Sequence, residues 1–189
     1  NRMITHSPEV VEMLQSFDIP VMIEYSSYEQ HPLGKVEWVK FFGALTGKEA
    51  EAEEAFAEQT EILEKVESGE KTGKTIAFFY VTSNGLIQVR QSTDYIPKLI
   101  ELAGGRYIFE DLEDSGSGRS TLNMQVEDFY AGAKDADILI YNSSIDGGVN
   151  TIDELIGKCN ILKDFKAVQD GQVYCTTNDM YQQSMAIGY

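Results

Sequence analysis

Thr75-Ile76-Ala77-Phe78-Phe79-Tyr80-Val81 is an unbroken apolar run of strand length. A strand without polar alternation is buried on both faces, and that burial requires helices above and below its sheet. Further strand and helix patterns alternate downstream. Residues 86–89 form a second extended segment, reached through a Ser83-Asn84-Gly85 turn. Residues 94–103 read as a helix that Gly104-Gly105 stops. Tyr107-Ile108-Phe109 reads as a strand, 126–133 as a helix, 136–141 as a buried strand, 151–157 as a helix and 172–175 as a last strand. Such alternation implies right-handed parallel crossovers and an α/β lobe over residues 74–189.

Upstream, Val36, Val39, Phe42 and Leu45 recur at helical spacing, and Ala52, Phe56, Leu63 and Val66 continue the apolar face. The stretch 49–70 is rich in Glu and Ala and has no proline, so 34–67 reads as one helix running roughly 50 Å at about 1.5 Å per residue. The alternative is a helical hairpin broken at Thr46-Gly47. Before it, Ser7-Pro8-Glu9 opens a helix carrying Val10, Val11, Leu14 and Phe17, Ile19-Pro20 ends it, and Val21-Met22-Ile23-Glu24-Tyr25 reads as a short strand. Met3-Ile4-Thr5 reads as the tail of a strand entering that helix, so an upstream segment is expected. Residues 1–27 cannot bury both faces of a sheet alone, and either those upstream residues or a second copy is expected to complete it.

A net charge of −16 and a pI near 4.4 repel phosphate backbones, so nucleic acid is not expected as a partner. Cys159 and Cys175 match neither a redox pair nor a zinc ligand set; they are small packed residues or, in an oxidising compartment, a disulfide. His6 and His31 are the only histidines, and no nucleophile elbow, Walker loop or zincin motif is present. No catalytic residues, cofactor or metal site is expected. Ligands of parallel sheets sit beyond the carboxyl ends of the strands, where loop amides and helix N-termini converge. That rule selects the loops holding Tyr80, Asn84, Arg90, Tyr95, Arg119, Asn142, Asn178 and Tyr181. Arginine and tyrosine suit an anionic or aromatic-rich ligand through charge, planar hydrogen bonding and stacking.

Several segments, in their order, carry a resemblance: Pro32-Leu33-Gly34-Lys35-Val36-Glu37-Trp38, the long helical stretch, Ile100-Glu101-Leu102-Ala103-Gly104-Gly105, the Val126-Glu127 helix start, Lys134-Asp135-Ala136-Asp137-Ile138-Leu139-Ile140, and 168–174. Together they resemble the periplasmic binding proteins for iron-siderophore, haem and cobalamin, the substrate-binding components of ABC importers. The resemblance implies two α/β lobes joined by a backbone helix, with ligand in the cleft between them. Residues 1–33 would then be the end of a partial N-terminal lobe, 34–73 the long inter-lobe backbone helix and linker, and 74–189 a three-layer C-terminal α/β lobe with a mainly parallel sheet. The ligand-binding set on this reading is Tyr80, Asn84, Arg90, Tyr95, Arg119, Asn142 and Tyr181.

The same resemblance implies a glutamate on each lobe that meets arginines of a membrane permease, and Glu127 matches the C-lobe position. The expected partners are an ABC permease and a small metallo-organic ligand such as a ferric chelate, haem or cobalamin. A homodimer of the fragment is also allowed. The expected location is the periplasm or, as a lipoprotein, the cell surface. Two rivals stay open: a dinucleotide-dependent oxidoreductase lobe on the same sheet, and a dimerisation module without ligand.

Overall fold

A computed structural model describes residues 7–112, 120–145 and 148–176. The first helix, α1 (Pro8–Ser16), begins with proline at its first turn, where a missing N–H costs nothing. It buries no residue. The strand expected at 21–25 does not form: the backbone there leads into a 3₁₀ turn at Ser26–Tyr28. An extended segment becomes a strand only by pairing, and no described segment pairs with this one.

The stretch expected as one rod is instead a helical hairpin. Helix α2 (Pro32–Thr46) ends at Gly47, whose φ of 68° lies in the left-handed region, and α3 (Glu49–Glu67) starts after Lys48 and turns back. The Lys48 N–H donates to the Gly43 carbonyl at 2.8 Å, and Thr46 Oγ1 donates to the Phe42 carbonyl at 2.8 Å, so the Gly43 and Phe42 carbonyls are satisfied within the turn. Gly43 lets the helices approach: a Cβ there would lie 2.5 Å from the Ala52 Cβ and 2.9 Å from the Lys48 carbonyl oxygen. Lys40 fastens the pair, reaching Glu53 at 3.0 Å and the Phe56 ring at 4.1 Å.

Strand β1 (Thr75–Val81) is central, as its composition demands. It pairs antiparallel with β2 (Ile87–Arg90) across a tight turn in which Gly85 takes φ 80°. Helix α4 (Tyr95–Leu102) follows, capped by Asp94, whose carboxylate accepts the Ile96 N–H at 3.0 Å. Next come β3 (Arg106–Tyr107), parallel to the start of β1, and β4 (Thr121–Met124), antiparallel to β2. Strand β4 was not expected from sequence. Helix α5 (Val126–Ala133), β5 (Ile138–Tyr141), α6 (Ile152–Lys158), a 3₁₀ turn (Asn160–Asp164), α7 (Lys166–Gln169) and β6 (Val173–Cys175) complete the described chain. Strands β5 and β6 run parallel to β1, and the sheet order is β4-β2-β1-β5-β6.

The lobe has three layers. Ile96 and Ile100 of α4 pack on Ile76 and Phe78 on one face. On the other, Phe129, Ala133, Leu155, Leu162, Phe165 and Ala167 bury Ala77, Phe79 and Val81. Phe129 sits between Phe79 and Phe165, with centroids 4.9 and 5.5 Å away, and is fully buried. A phenyl ring so placed contributes about 1.5–3 kcal/mol of transfer energy.

Candidate functional site

Register sets the first cluster. Successive residues of a strand face opposite sides of the sheet, so Ile76 and Phe78 share a face, while at the strand end the Tyr80 ring packs toward Tyr141, with centroids 6.2 Å apart. Tyr80 stands opposite Gln88, and Gln88 opposite Asn123. On the other flank the Asn142 N–H donates to the Phe79 carbonyl at 2.8 Å, and the Thr176 N–H to the Tyr141 carbonyl at 3.0 Å, so Asn142 and Thr176 extend the same row just past β5 and β6. A polar row, Asn123, Gln88, Tyr80, Asn142 and Thr176, therefore crosses the sheet at the carboxyl ends of β1, β5 and β6. At about 4.8 Å per strand it is about 19 Å long. The rows beneath it are apolar where α4 covers them.

Local bonds order this end. Gln88 Nε2 donates to Asn123 Oδ1 at 3.2 Å. Asn142 Oδ1 accepts from the Ser144 N–H at 3.3 Å and its hydroxyl at 2.6 Å, an Asx turn that starts the next loop. Thr176 Oγ1 accepts the Ser143 N–H at 2.9 Å and ties that loop to the end of β6. Asn84 occupies the β1–β2 turn above, exposed, with Oδ1 2.5 Å from Thr82 Oγ1.

A second cluster lies where α2 meets α4. Lys35 is 7% exposed, with Nζ 3.6 Å from the Tyr95 ring centroid. Arg90 pairs with Asp94 at 3.5 Å, and its guanidinium carbon lies 5.7 Å from the Phe78 ring. Burial holds the Lys35 ammonium below the usual lysine range; Asp94 and Glu24 oppose that shift and Arg90 adds to it. Burial likewise raises Asp94 above the usual carboxylate range against the pull of Arg90 and the Ile96 N–H. Cation and ring, anion and helix start are thus packed in one junction. The backbone of Arg90 is pinned by Tyr107, whose hydroxyl donates to its carbonyl and accepts its N–H.

No family model matches the chain. An uncharacterized lipoprotein of Methanocaldococcus jannaschii is 30% identical over 92% of this chain, which spans 41% of that relative's length. Among solved structures, a possible iron-binding (periplasmic solute-binding) protein from Staphylococcus epidermidis matches with a TM-score of 0.70 at 18% identity, over 94% of this chain and 65% of its own. The periplasmic heme binding protein of Vibrio cholerae matches with a TM-score of 0.69 at 17% identity, over 92% of this chain and 64% of its own. This chain has the periplasmic solute-binding fold. The helical stretch expected as a single rod over 34–67 is turned at Gly47 within this fold.

Within the solute-binding fold the expected ligand residues separate. Tyr80, Asn84 and Asn142 gather at the carboxyl end of the sheet. Arg90 and Tyr95 belong to the junction with Lys35 and Asp94. Arg119, Asn178 and Tyr181 lie outside the described residues. Glu127 is exposed in the first turn of α5, which leaves the sheet at the same end as the polar row. Gln88, Asn123 and Thr176 were missed from sequence, although the alternation Ile87-Gln88-Val89-Arg90 marks Gln88 as facing away from the core. Lys35 was missed because one lysine inside a helical apolar stripe reads as solvated. Cys159 and Cys175 are both free, and the exposed Cys175 thiol donates to the Val149 carbonyl at 3.4 Å. Among the described residues no helix is long and apolar enough to cross a membrane.

Proposed function

We propose that this chain is part of the substrate-binding component of an ABC importer, one that captures an iron-siderophore or related metallo-organic complex and passes it to a membrane permease. The observation that carries the reading is the shared fold, a TM-score of 0.70 over 94% of the chain against a protein described as possibly iron-binding. The haem-binding match and the lipoprotein relative agree with it and favour the periplasm or cell surface as the location. The protein performs no catalysis on this reading: ligand is held between lobes by hydrogen bonds and stacking, and Tyr80, Asn84 and Asn142, with Arg90, Tyr95, Arg119 and Tyr181, supply this chain's share of the cleft.

Glu127 is the docking residue. Its carboxylate lies in the first turn of α5, where the helix dipole favours negative charge, and it is free to make charge-assisted bonds with permease arginines. Fluorescence titration through Trp38 and the tyrosines against ferric siderophores, haem and cobalamin tests the reading. Saturable quenching by one class, weakened in Arg119→Ala or Tyr181→Ala and unchanged in Glu127→Ala, is expected. The absence of saturable binding to all three classes overturns it.

A further inference from the structure

The helical hairpin lies against the lobe without sharing its core. Val36 of α2 and Ala52 and Leu63 of α3 are buried, yet among the described residues neither core cluster of the lobe includes them. Two contacts tie the hairpin to α4, one near each end of that helix. Past the last turn of α4, the chain leaving α3 is held by its backbone: the Gly73 N–H donates to the Gly104 carbonyl at 2.9 Å, and the Thr72 hydroxyl donates to the same oxygen at 3.3 Å. Glycine is needed at that crossing, since a Cβ on Gly104 would lie 2.9 Å from the Glu70 carbonyl oxygen. At the head of α4, one helix length or about 12 Å away, Lys35 of α2 sets its ammonium 3.6 Å from the centre of the Tyr95 ring.

The two attachments differ in kind. Hydrogen bonds at Gly104 fix a point, and Gly73, with φ 64°, lets the chain turn there. Apolar contact between helices tolerates a spread of crossing angles, whereas a cation over a ring face has a narrow approach. Lys35 is enclosed, and the ring it meets opens α4 directly after Asp94, whose own charge is met by Arg90 at 3.5 Å. We infer that Lys35 is a positioning residue: it latches the hairpin to the head of α4, and Gly73 with Gly104 is the pivot about which the hairpin swings once the latch is released. The latch is a property of this chain alone. Its use rests on the importer reading, in which ligand is held between lobes: the latch then sets how whatever precedes α2 stands toward the lobe, and so the width of the cleft.

Residual dipolar couplings of the whole ¹⁵N-labelled chain test the latch. In the wild type the backbone couplings of α2, α3, β1 and β5 fit one alignment tensor, and the Lys35 ε-protons resonate upfield of exposed lysines because they lie in the Tyr95 ring current. In Lys35→Met, which keeps the apolar length of the side chain, and in Tyr95→Leu, the couplings of α2 and α3 shrink and leave the lobe's tensor, while those of β1 and β5 stay within it. The double variant changes them no more than either single one. Urea unfolding separates a latch from ordinary packing: at pH 7 Lys35→Met is at least as stable as wild type, because a buried ammonium is exchanged for a thioether and Asp94 keeps Arg90. Unchanged α2 couplings in both single variants, or Lys35 ε-protons at the shift of an exposed lysine, overturn the assignment and leave the importer reading standing. A chain that binds no ferric siderophore, haem or cobalamin removes the importer reading and the cleft, while the latch is still decided by the couplings.

Discussion

The Tyr107 hydroxyl closes a two-bond clamp on a single residue, donating to the Arg90 carbonyl at 2.7 Å and accepting the Arg90 N–H at 3.1 Å. Tyr107 lies at the short strand β3, while Arg90 ends β2, so the clamp fixes where β2 stops and where Asp94 can cap α4. Burial pushes the phenol well above its usual titration range. Tyr107→Phe leaves the part-buried Arg90 N–H and carbonyl without this partner. A loss of about 1–3 kcal/mol in urea unfolding is expected, with no change in denaturant slope.

The hairpin turn separates two kinds of glycine. At Gly47 nothing lies within 4 Å of an added Cβ, so Gly47→Ala costs only the left-handed backbone, about 1 kcal/mol. Gly43→Ala meets Ala52 and the Lys48 carbonyl and forces α2 from α3. Thermal melts are expected to order the variants as wild type, Gly47→Ala, then Gly43→Ala. Equal melting temperatures for wild type and Gly43→Ala would contradict the packing.

Lys35 makes stability rise with pH on the alkaline side. Its folded pKa lies below the unfolded lysine value of about 10.4, so between those two values the unfolded chain holds the extra proton and loses its advantage as the solution becomes more basic. The penalty is complete below the folded pKa. Lys35→Met removes the titration. The stability of wild type relative to this variant should therefore climb from pH 7 toward pH 10 in chemical denaturation, and a flat difference would exclude the effect.

Asp137 acts at the acid end, and its depressed pKa likewise makes stability rise with pH. Its carboxylate accepts the Thr75 N–H at 2.8 Å, the Thr75 hydroxyl at 3.0 Å and the Lys166 ammonium, and these bonds hold it below the usual carboxylate range. Stability from a depressed acid is present above its unfolded pKa of about 3.9 and fades as pH falls through the folded value. Asp137→Asn is expected to cost about 1 kcal/mol at pH 7, a figure kept small by the solvent around the ion pair. The cost should shrink below pH 4. A penalty constant from pH 7 to pH 3 would rule out the charged form as its source.

Much of the lobe was legible locally. The turn at Gly85, the stop at Gly104 and helix 126–133 follow from glycine conformation and apolar spacing within a few residues. Strand β4 was hidden because Thr121-Leu122-Asn123-Met124 is short, half polar and at the edge, and only pairing with β2 makes it a strand. The hairpin was hidden for the opposite reason. Helical propensity is strong on both sides of Gly47, and a continuous rod is the better local solution until Gly43 meets Ala52.

Among the site residues, Tyr80 and Asn142 were found because strand ends mark themselves by a change from apolar to polar. Gln88, Asn123 and Thr176 were not, since nothing near them in the chain says that they share a row. The order of residues alone determined an acidic α/β lobe around a strand at 75–81, with two histidines and none of the common nucleophile motifs, because composition and periodicity act through neighbours along the chain. Only the tertiary structure decided that the helical stretch folds back at Gly47, that Arg90 and Tyr95 join Lys35 and Asp94 in a packed junction, and that an uncharged row crosses the sheet. These depend on register and close approach between distant segments, free energies that exist only once the segments have met.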